Sequence, residues 1–131
     1  GVVMVDIDDF KNVNDQHGHD VGAAIIRSCS AIIAETCRTT DVAARWGGEE
    51  FLVVIPDVNI DVLKSILMRM FKEIREFRLS TEKGELSYTV SMGAVIMSPA
   101  ETDMDEMIGA ADSALYFVKS EGKNNFYISG S

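Results

Sequence analysis

Four carboxylates in two short runs carry the first chemical signal: Asp6 with Asp8, and Glu49 with Glu50 directly after Gly47-Gly48. Gathering such side chains in one place is unfavourable, because like charges repel. Binding Mg²⁺ or Mn²⁺ removes that penalty, since both ions prefer oxygen ligands and bridge carboxylates to phosphates. Two such ions about 4 Å apart can activate a hydroxyl and neutralise charge on the phosphate it attacks. Read alone, the same acids also describe a solvated hairpin tip, with the glycines present for turn geometry. Lys119 and Lys123 are candidate phosphate contacts, and they equally suit a helix C-terminus through its dipole. His17 and His19 form a His-x-His pair, but a loop position with no thiol nearby argues against zinc. Cys29 and Cys37 lack the spacing of a disulfide framework or a zinc site. They read as buried free thiols, which suits a reducing cytoplasm.

The elements that must position these residues follow from hydrophobic periodicity. Val2 to Val5 is an apolar strand that runs on through Asp6-Ile7-Asp8, and Asn12 to Asp20 reads as a polar loop. Ile25, Cys29, Ile32, Ile33 and Thr36 mark one face of a helix. Val42 to Trp46 and Phe51 to Ile55 flank the glycine pair as a β-hairpin. Leu63, Ile66, Leu67, Met70, Ile74 and Phe77 predict a second amphipathic helix, and Tyr88 to Met97 a strand interrupted by Gly93. Asp103 with Glu106 resembles a capping box that opens a third helix. Its inner face is Met107, Ile108, Ala111, Ala114, Leu115 and Val118, and Gly122 ends it. Asn125 to Ile128 reads as a short last strand.

The order is β-α-β-β-α-β followed by α-β. It predicts an α+β fold: a ferredoxin-like βαββαβ core with an extra αβ, its central, mainly antiparallel sheet flanked by helices. In that topology strands one and three are antiparallel neighbours. The end of the first, with Asp6 and Asp8, then lies beside the start of the third, with Glu49 and Glu50.

The chain has 131 residues, 47% apolar and 25% charged, which predicts one globular domain over 1–131. A net charge of −9 argues against contact with a nucleic-acid polymer, which needs a basic surface. A small polyphosphate remains compatible when divalent cations offset the carboxylates. No apolar run approaches the roughly 18 residues of a membrane span, so membrane contact by this domain is not expected. The sequence opens directly on a strand, and is read as an N-terminally truncated part of a longer protein.

Several motifs, taken in order, resemble the GGDEF family of diguanylate cyclases. Asp6-Ile7-Asp8-Asp9-Phe10-Lys11, Asn14-Asp15, Gly18-His19 and Gly22 are similar to its signature, at family-like spacing. Arg45-Trp46-Gly47-Gly48-Glu49-Glu50-Phe51 matches the hallmark in its GGEEF form. Ser91-Met92-Gly93 is similar to the family's Ser-Ile-Gly strand. Ala111-Asp112, Ala114-Leu115-Tyr116, Lys119 and Gly122-Lys123-Asn124 are similar to its last helix and exit.

The resemblance implies a palm, or nucleotide-cyclase-like, version of the fold. It also implies an enzyme that condenses two GTP into cyclic di-GMP and releases pyrophosphate. Two Mg²⁺ or Mn²⁺ ions per site would be held by Asp6, the Ile7 carbonyl and Glu49, with Glu50 assisting. Glu49 would also be the general base, and Lys11 would stabilise the transition state. Amides of Asp9, Phe10 and Lys11 would touch phosphates, with Lys119 and Lys123 reaching the outer ones. Asn14 and His19 would line the nucleoside site, and Gly47 and Gly48 would let the backbone approach the ligand. One domain holds one substrate, so catalysis implies a homodimer. The resemblance further implies a cytoplasmic location and an N-terminal sensory or regulatory region, through which a parent protein could be membrane-anchored. Arg38 and Asp41, with Arg69, look like the family's inhibitory site for the cyclic product.

The sequence departs from the family in three places. The family usually reads Gly-Asp where this chain has Gly22-Ala23, and its Asp accepts hydrogen bonds from guanine. A methyl group cannot, so base selectivity is expected to relax toward mixed guanine–adenine products. The Asp-x-Leu-Thr-Gly-Leu-x-Asn-Arg segment that precedes the first strand in the family is absent. Lys123 replaces an arginine, keeping the charge without its bidentate fork. Two other readings stand beside the enzyme: a catalytically inactive sensor of GTP or cyclic dinucleotide, and a structural dimerisation domain.

Overall fold

The computed structural model describes residues 1–98 and 100–130. Its elements are β1 (Val2–Ile7), α1 (Phe10–His17), α2 (His19–Thr36), β2 (Val42–Arg45), β3 (Glu50–Val54), α3 (Ile60–Glu76), β4 (Leu79–Thr81), β5 (Gly84–Leu86), β6 (Val90–Val95), α4 (Met104–Ser120) and β7 (Asn125–Ser129). The main sheet has five strands in the order β2-β3-β1-β6-β7. Strand β1 is central and buried along its whole length, as its nearly unbroken apolar run requires. It pairs antiparallel with β3 and β6, while β6 and β7 run parallel across the α4 crossover. The α+β, ferredoxin-like expectation holds, with β6, α4 and β7 completing it.

Alternation along β1 divides the core into two layers. Val3, Val5 and Ile7 face α2 and α3, meeting Ile25, Cys29, Leu67 and Met70. Val2 and Met4 face α4, meeting Met107, Ala111 and Leu115. Asp6 shares the parity of Met4, so its side chain emerges on the α4 side.

Helix α4 lies very close to the sheet. A Cβ built on Gly93 would fall 2.0 Å from the Leu115 nitrogen and 2.4 Å from the Ala111 oxygen. Gly93 is therefore a packing requirement inside β6 rather than a break in it. The α4 cap is as expected at its start, with the Asp103 carboxylate accepting from the Glu106 amide at 2.8 Å. At the other end Gly122 adopts a left-handed φ of 114°, which stops the helix without a Cβ penalty.

Three local expectations need correction. The segment expected as a polar loop from Asn12 to Asp20 is helical: α1 runs to His17, Gly18 turns at φ 91°, and α2 starts at His19. The helix is mostly polar and none of its residues is fully buried, so it lacks a strong apolar stripe; only Phe10 and Val13 reach the core. The strand expected from Tyr88 to Met97 is shorter, Val90 to Val95, and the Tyr88 hydroxyl lies 3.1 Å from Ser28 Oγ. A second hairpin, β4 with β5, has three-residue strands without a buried position and therefore little sequence signal. No described helix is long and apolar enough to cross a membrane.

Candidate active site

Strand register creates the site. Asp6 stands opposite Glu50 in the β1–β3 pair, and the Ile7 amide donates to the Glu49 carbonyl at 3.1 Å. Residues distant in sequence thus meet at one end of the sheet, as the topology predicts. From the last turn of α4, the Lys119 ammonium pairs with Asp6 Oδ2. Asp6 Oδ1 is buried and, among the described residues, has no hydrogen-bond partner. Burial pushes the Asp6 carboxyl above its ordinary value, and Lys119 only partly opposes this. Glu50 is also raised, first by burial and then by the charge of Asp6. Burial works against the Lys119 charge as well, but Asp6 and Glu50 outweigh it and hold the ammonium above its usual value.

The site fits a divalent cation on this evidence. A buried carboxylate oxygen without a partner is an unfavourable feature that an oxygen-seeking ion would relieve. Among the described residues, no three His, Cys, Asp or Glu side chains gather into a ready-made metal cage. The candidate donors are instead Asp6 on β1, with Glu49 and Glu50 where the turn enters β3. Sites that combine a few carboxylates with substrate phosphates and water are typical of Mg²⁺.

Asp8 belongs to the scaffold. Its carboxylate accepts from Ser91 Oγ at 2.6 Å, Thr89 Oγ1 at 2.7 Å and the Asn124 amide at 3.0 Å. These bonds tie the end of β1 to β6 and to the segment after α4. Asp9 then holds Lys123, with Oδ1 2.8 Å from Nζ. Asp9, Lys123 and Asn124 all have left-handed φ, at 54°, 63° and 50°. Such conformations are disfavoured for residues with a Cβ and cluster at functional sites. Around these groups lies a cleft of about 200 Å³, lined by Asp6, Ile7, Asp8, Asp9, Phe10, Lys11, Glu49, Lys119 and Lys123.

Phe10 also lines an adjoining cleft of about 330 Å³, with Asn14, His19, Ala23, Ile26, Arg27 and Arg45. Asn14 fits there because Gly22 has no side chain: a Cβ on Gly22 would lie 1.8 Å from Asn14 Oδ1. The proposed phosphate and nucleoside residues thus fall into two neighbouring clefts joined at Phe10.

Gly47 and Gly48 line neither cleft, and neither has a left-handed φ. Turn geometry therefore does not demand glycine here. A Cβ on Gly48 would meet nothing within 4 Å, so open space lies above its backbone. Arg45, to which the sequence reading gave no separate role, fixes this turn. Its guanidinium donates to the Gly48 carbonyl at 2.7 Å and to that of Gly47 at 3.2 Å. Its place in the run ending at Phe51 was the available signal. Arg27 was also missed; its only signal is that it follows Ala23 by one helical turn.

Arg38, Asp41 and Arg69 line neither cleft. Arg38 Nη2 donates to Asp41 Oδ1 at 3.2 Å and to the Pro56 carbonyl at 2.6 Å. Arg69, on α3, pairs with Glu73 at 3.5 Å beside a groove containing Phe71, Arg75 and Phe126.

Residues 1–125 match the family described as diguanylate cyclase, GGDEF domain. This chain belongs to the GGDEF family. Diguanylate cyclase A of Treponema denticola is 31% identical over 128 residues, which are 98% of this chain and 34% of that protein. The probable diguanylate cyclase DgcT of Escherichia coli is 35% identical over 131 residues, 97% of this chain and 28% of that protein. The GGDEF domain of DgcB from Caulobacter crescentus, crystallised with c-di-GMP, has a TM-score of 0.92 at 31% identity; the match covers 99% of this chain and 77% of that one. The GGDEF chain spans about a third or less of the length of these curated relatives.

Proposed function

We propose that this domain is a diguanylate cyclase that binds one GTP and acts with a second GTP-loaded copy. Each ribose 3′-oxygen attacks the α-phosphorus of the other nucleotide. A P–O bond to the β-phosphate breaks in each, giving cyclic di-GMP and two pyrophosphates. The observation that carries this reading is the unpartnered, buried Oδ1 of Asp6, beside Glu49 and Glu50 and within a lysine-lined cleft.

Asp6, the Ile7 carbonyl and Glu49, assisted by Glu50, are the groups that would hold two Mg²⁺ or Mn²⁺ ions. When bound, these ions would acidify the hydroxyl and offset phosphate charge. Glu49 receives the 3′-proton. Lys11 donates toward the charge that develops on the attacked phosphate. Backbone amides of Asp9, Phe10 and Lys11, at the start of α1, cradle phosphate oxygens. Lys119 and Lys123 hold the outer phosphates, each exchanging its present carboxylate, Asp6 or Asp9, for the ligand. The nucleoside occupies the cleft of Asn14, His19 and Ala23, and Gly47 and Gly48, the latter with open space above its backbone, let the ligand approach closely.

Arg38 and Asp41, with Arg69, bind the cyclic product and slow the enzyme. The domain works in the cytoplasm under a regulatory region of the parent protein. Because Ala23 offers no acceptor to guanine N1–H and N2–H₂, adenine is discriminated against less strongly than in relatives with an acid there. That same residue favours a second reading, a domain that senses GTP or cyclic dinucleotide without turnover. Pyrophosphate release by the intact parent protein with GTP and Mg²⁺ separates the two. The cyclase reading expects release that Glu49→Gln abolishes; binding of GTP without any release would support the sensor.

A further inference from the structure

The nucleoside cleft contains a guanidinium with nothing to do. Arg27 lines it from α2, one helical turn beyond Ala23 and on the same helix face. Its side chain is exposed, and among the described residues it makes no hydrogen bond or ion pair. Arg45, the other guanidinium of this cleft, is already committed to the carbonyls of Gly47 and Gly48. Among the described residues no carboxylate lines the cleft, so none there neutralises Arg27.

Base chemistry then selects the partner. A guanidinium fork matches the O6 and N7 acceptors of guanine, whereas adenine offers N7 beside an N6 amine that is itself a donor. With Ala23 unable to accept from guanine's N1–H and N2–H₂, the O6/N7 edge is where a cation of this cleft distinguishes the purines, by charge-assisted hydrogen bonds. We propose that Arg27 is a specificity-determining residue that reads the O6/N7 edge of the substrate purine. The cleft thereby retains a preference for 6-oxopurine nucleotides despite Ala23. This inference rests on the reading that the GTP base occupies this cleft.

The test is equilibrium binding to the intact protein with Mg²⁺, using 3′-deoxy forms of GTP, ITP and ATP, which cannot cyclise. Hypoxanthine keeps O6 and N7 but lacks the 2-amine, so 3′-deoxy-ITP should bind as well as 3′-deoxy-GTP, and both more tightly than 3′-deoxy-ATP. Arg27→Ala should weaken the two 6-oxopurine nucleotides about tenfold and leave the adenine nucleotide unchanged. Arg27→Gln, whose amide suits adenine N6 and N7, should move the preference toward adenine. Equal weakening of all three by Arg27→Ala would assign Arg27 to phosphate and overturn the proposal. Guanine preference surviving in Arg27→Ala would overturn it as well. If none of the nucleotides binds the unaltered protein, the GTP-cleft reading fails too; if they bind and GTP is cyclised, only the role of Arg27 is at stake.

Discussion

The two carboxylate oxygens of Asp6 differ in what they touch, and that difference organises the site. One is neutralised by Lys119, and the other is buried without a partner. An isoleucine or leucine at this β1 position would extend the apolar face of Met4; a carboxylate there instead offers an oxygen that a cation could take. Ala23 presents the opposite case, a small apolar group beside the polar side chains of Asn14, His19, Arg27 and Arg45 in one cleft. Ala23→Asp should raise the ratio of GTP to ATP affinity by about tenfold, since one added acceptor pair changes discrimination by roughly 1–3 kcal/mol. Competition binding with the two nucleotides checks this, and an unchanged ratio would mean that residue 23 does not meet the base. At this scale the sequence was informative about acids and lysines, because their types and order match a known chemistry. It was silent on which acid is structural. Asp8 looks equivalent to Asp6 by spacing, but Ser91, Thr89 and Asn124 claim its oxygens only after the chain has folded.

Helix α4 places Lys119 over Asp6, and its seating depends on Gly93. Gly93→Ala would drive a methyl into the backbone of Leu115 and Ala111. The expected result is destabilisation of at least about 1–3 kcal/mol, the usual range for overpacking, with loss of activity as Lys119 shifts. Denaturant unfolding followed alongside turnover measures both. Helix α2 carries a different expectation. Burial pushes the Cys29 thiol from 9.0 up to about 12, while Cys37 is only partly buried. Because the folded value is the higher one, the stability linked to a protonated Cys29 is complete below pH 9.0 and is lost as pH rises toward about 12. Native alkylation near neutral pH should therefore mark Cys37 before Cys29, as read by mass spectrometry; rapid labelling of Cys29 would contradict the packing of α2. Long amphipathic elements such as α3 were legible because their apolar stripes repeat. Helix α1 and the β4–β5 hairpin were not, since both are short and polar and are held by tertiary contacts. One of these is the bond from Lys83 Nζ on the hairpin to the Gln16 carbonyl at the end of α1, at 2.6 Å.

For the molecule as a whole, a charge of −9 makes a bare polyphosphate an unfavourable visitor. On the proposed reading, the lysines of the cleft and divalent cations would supply the balance locally. Arg38 lies outside both clefts and is already engaged by Asp41 and Pro56, so a product bound there must take over those contacts. Arg38→Ala should relieve inhibition by added cyclic di-GMP with little effect on the initial rate. Because the Asp41 side chain is shielded from solvent, losing the guanidinium should also cost about 1–3 kcal/mol of stability. Initial rates with and without added product, together with a melting curve, check this; undiminished inhibition would remove Arg38 from the regulatory site. On the proposed reading a complete reaction centre needs two copies, so turnover should also fall on dilution faster than protein concentration. The most direct measurement of the central claim is the mass of the product made from isotopically labelled GTP by the intact protein with Mg²⁺, compared with Asp6→Asn. The account expects a cyclic product carrying two labelled guanosine monophosphate units, made by the unaltered protein and absent with Asp6→Asn. Bound but unconverted GTP, or equal product from the two proteins, would contradict it.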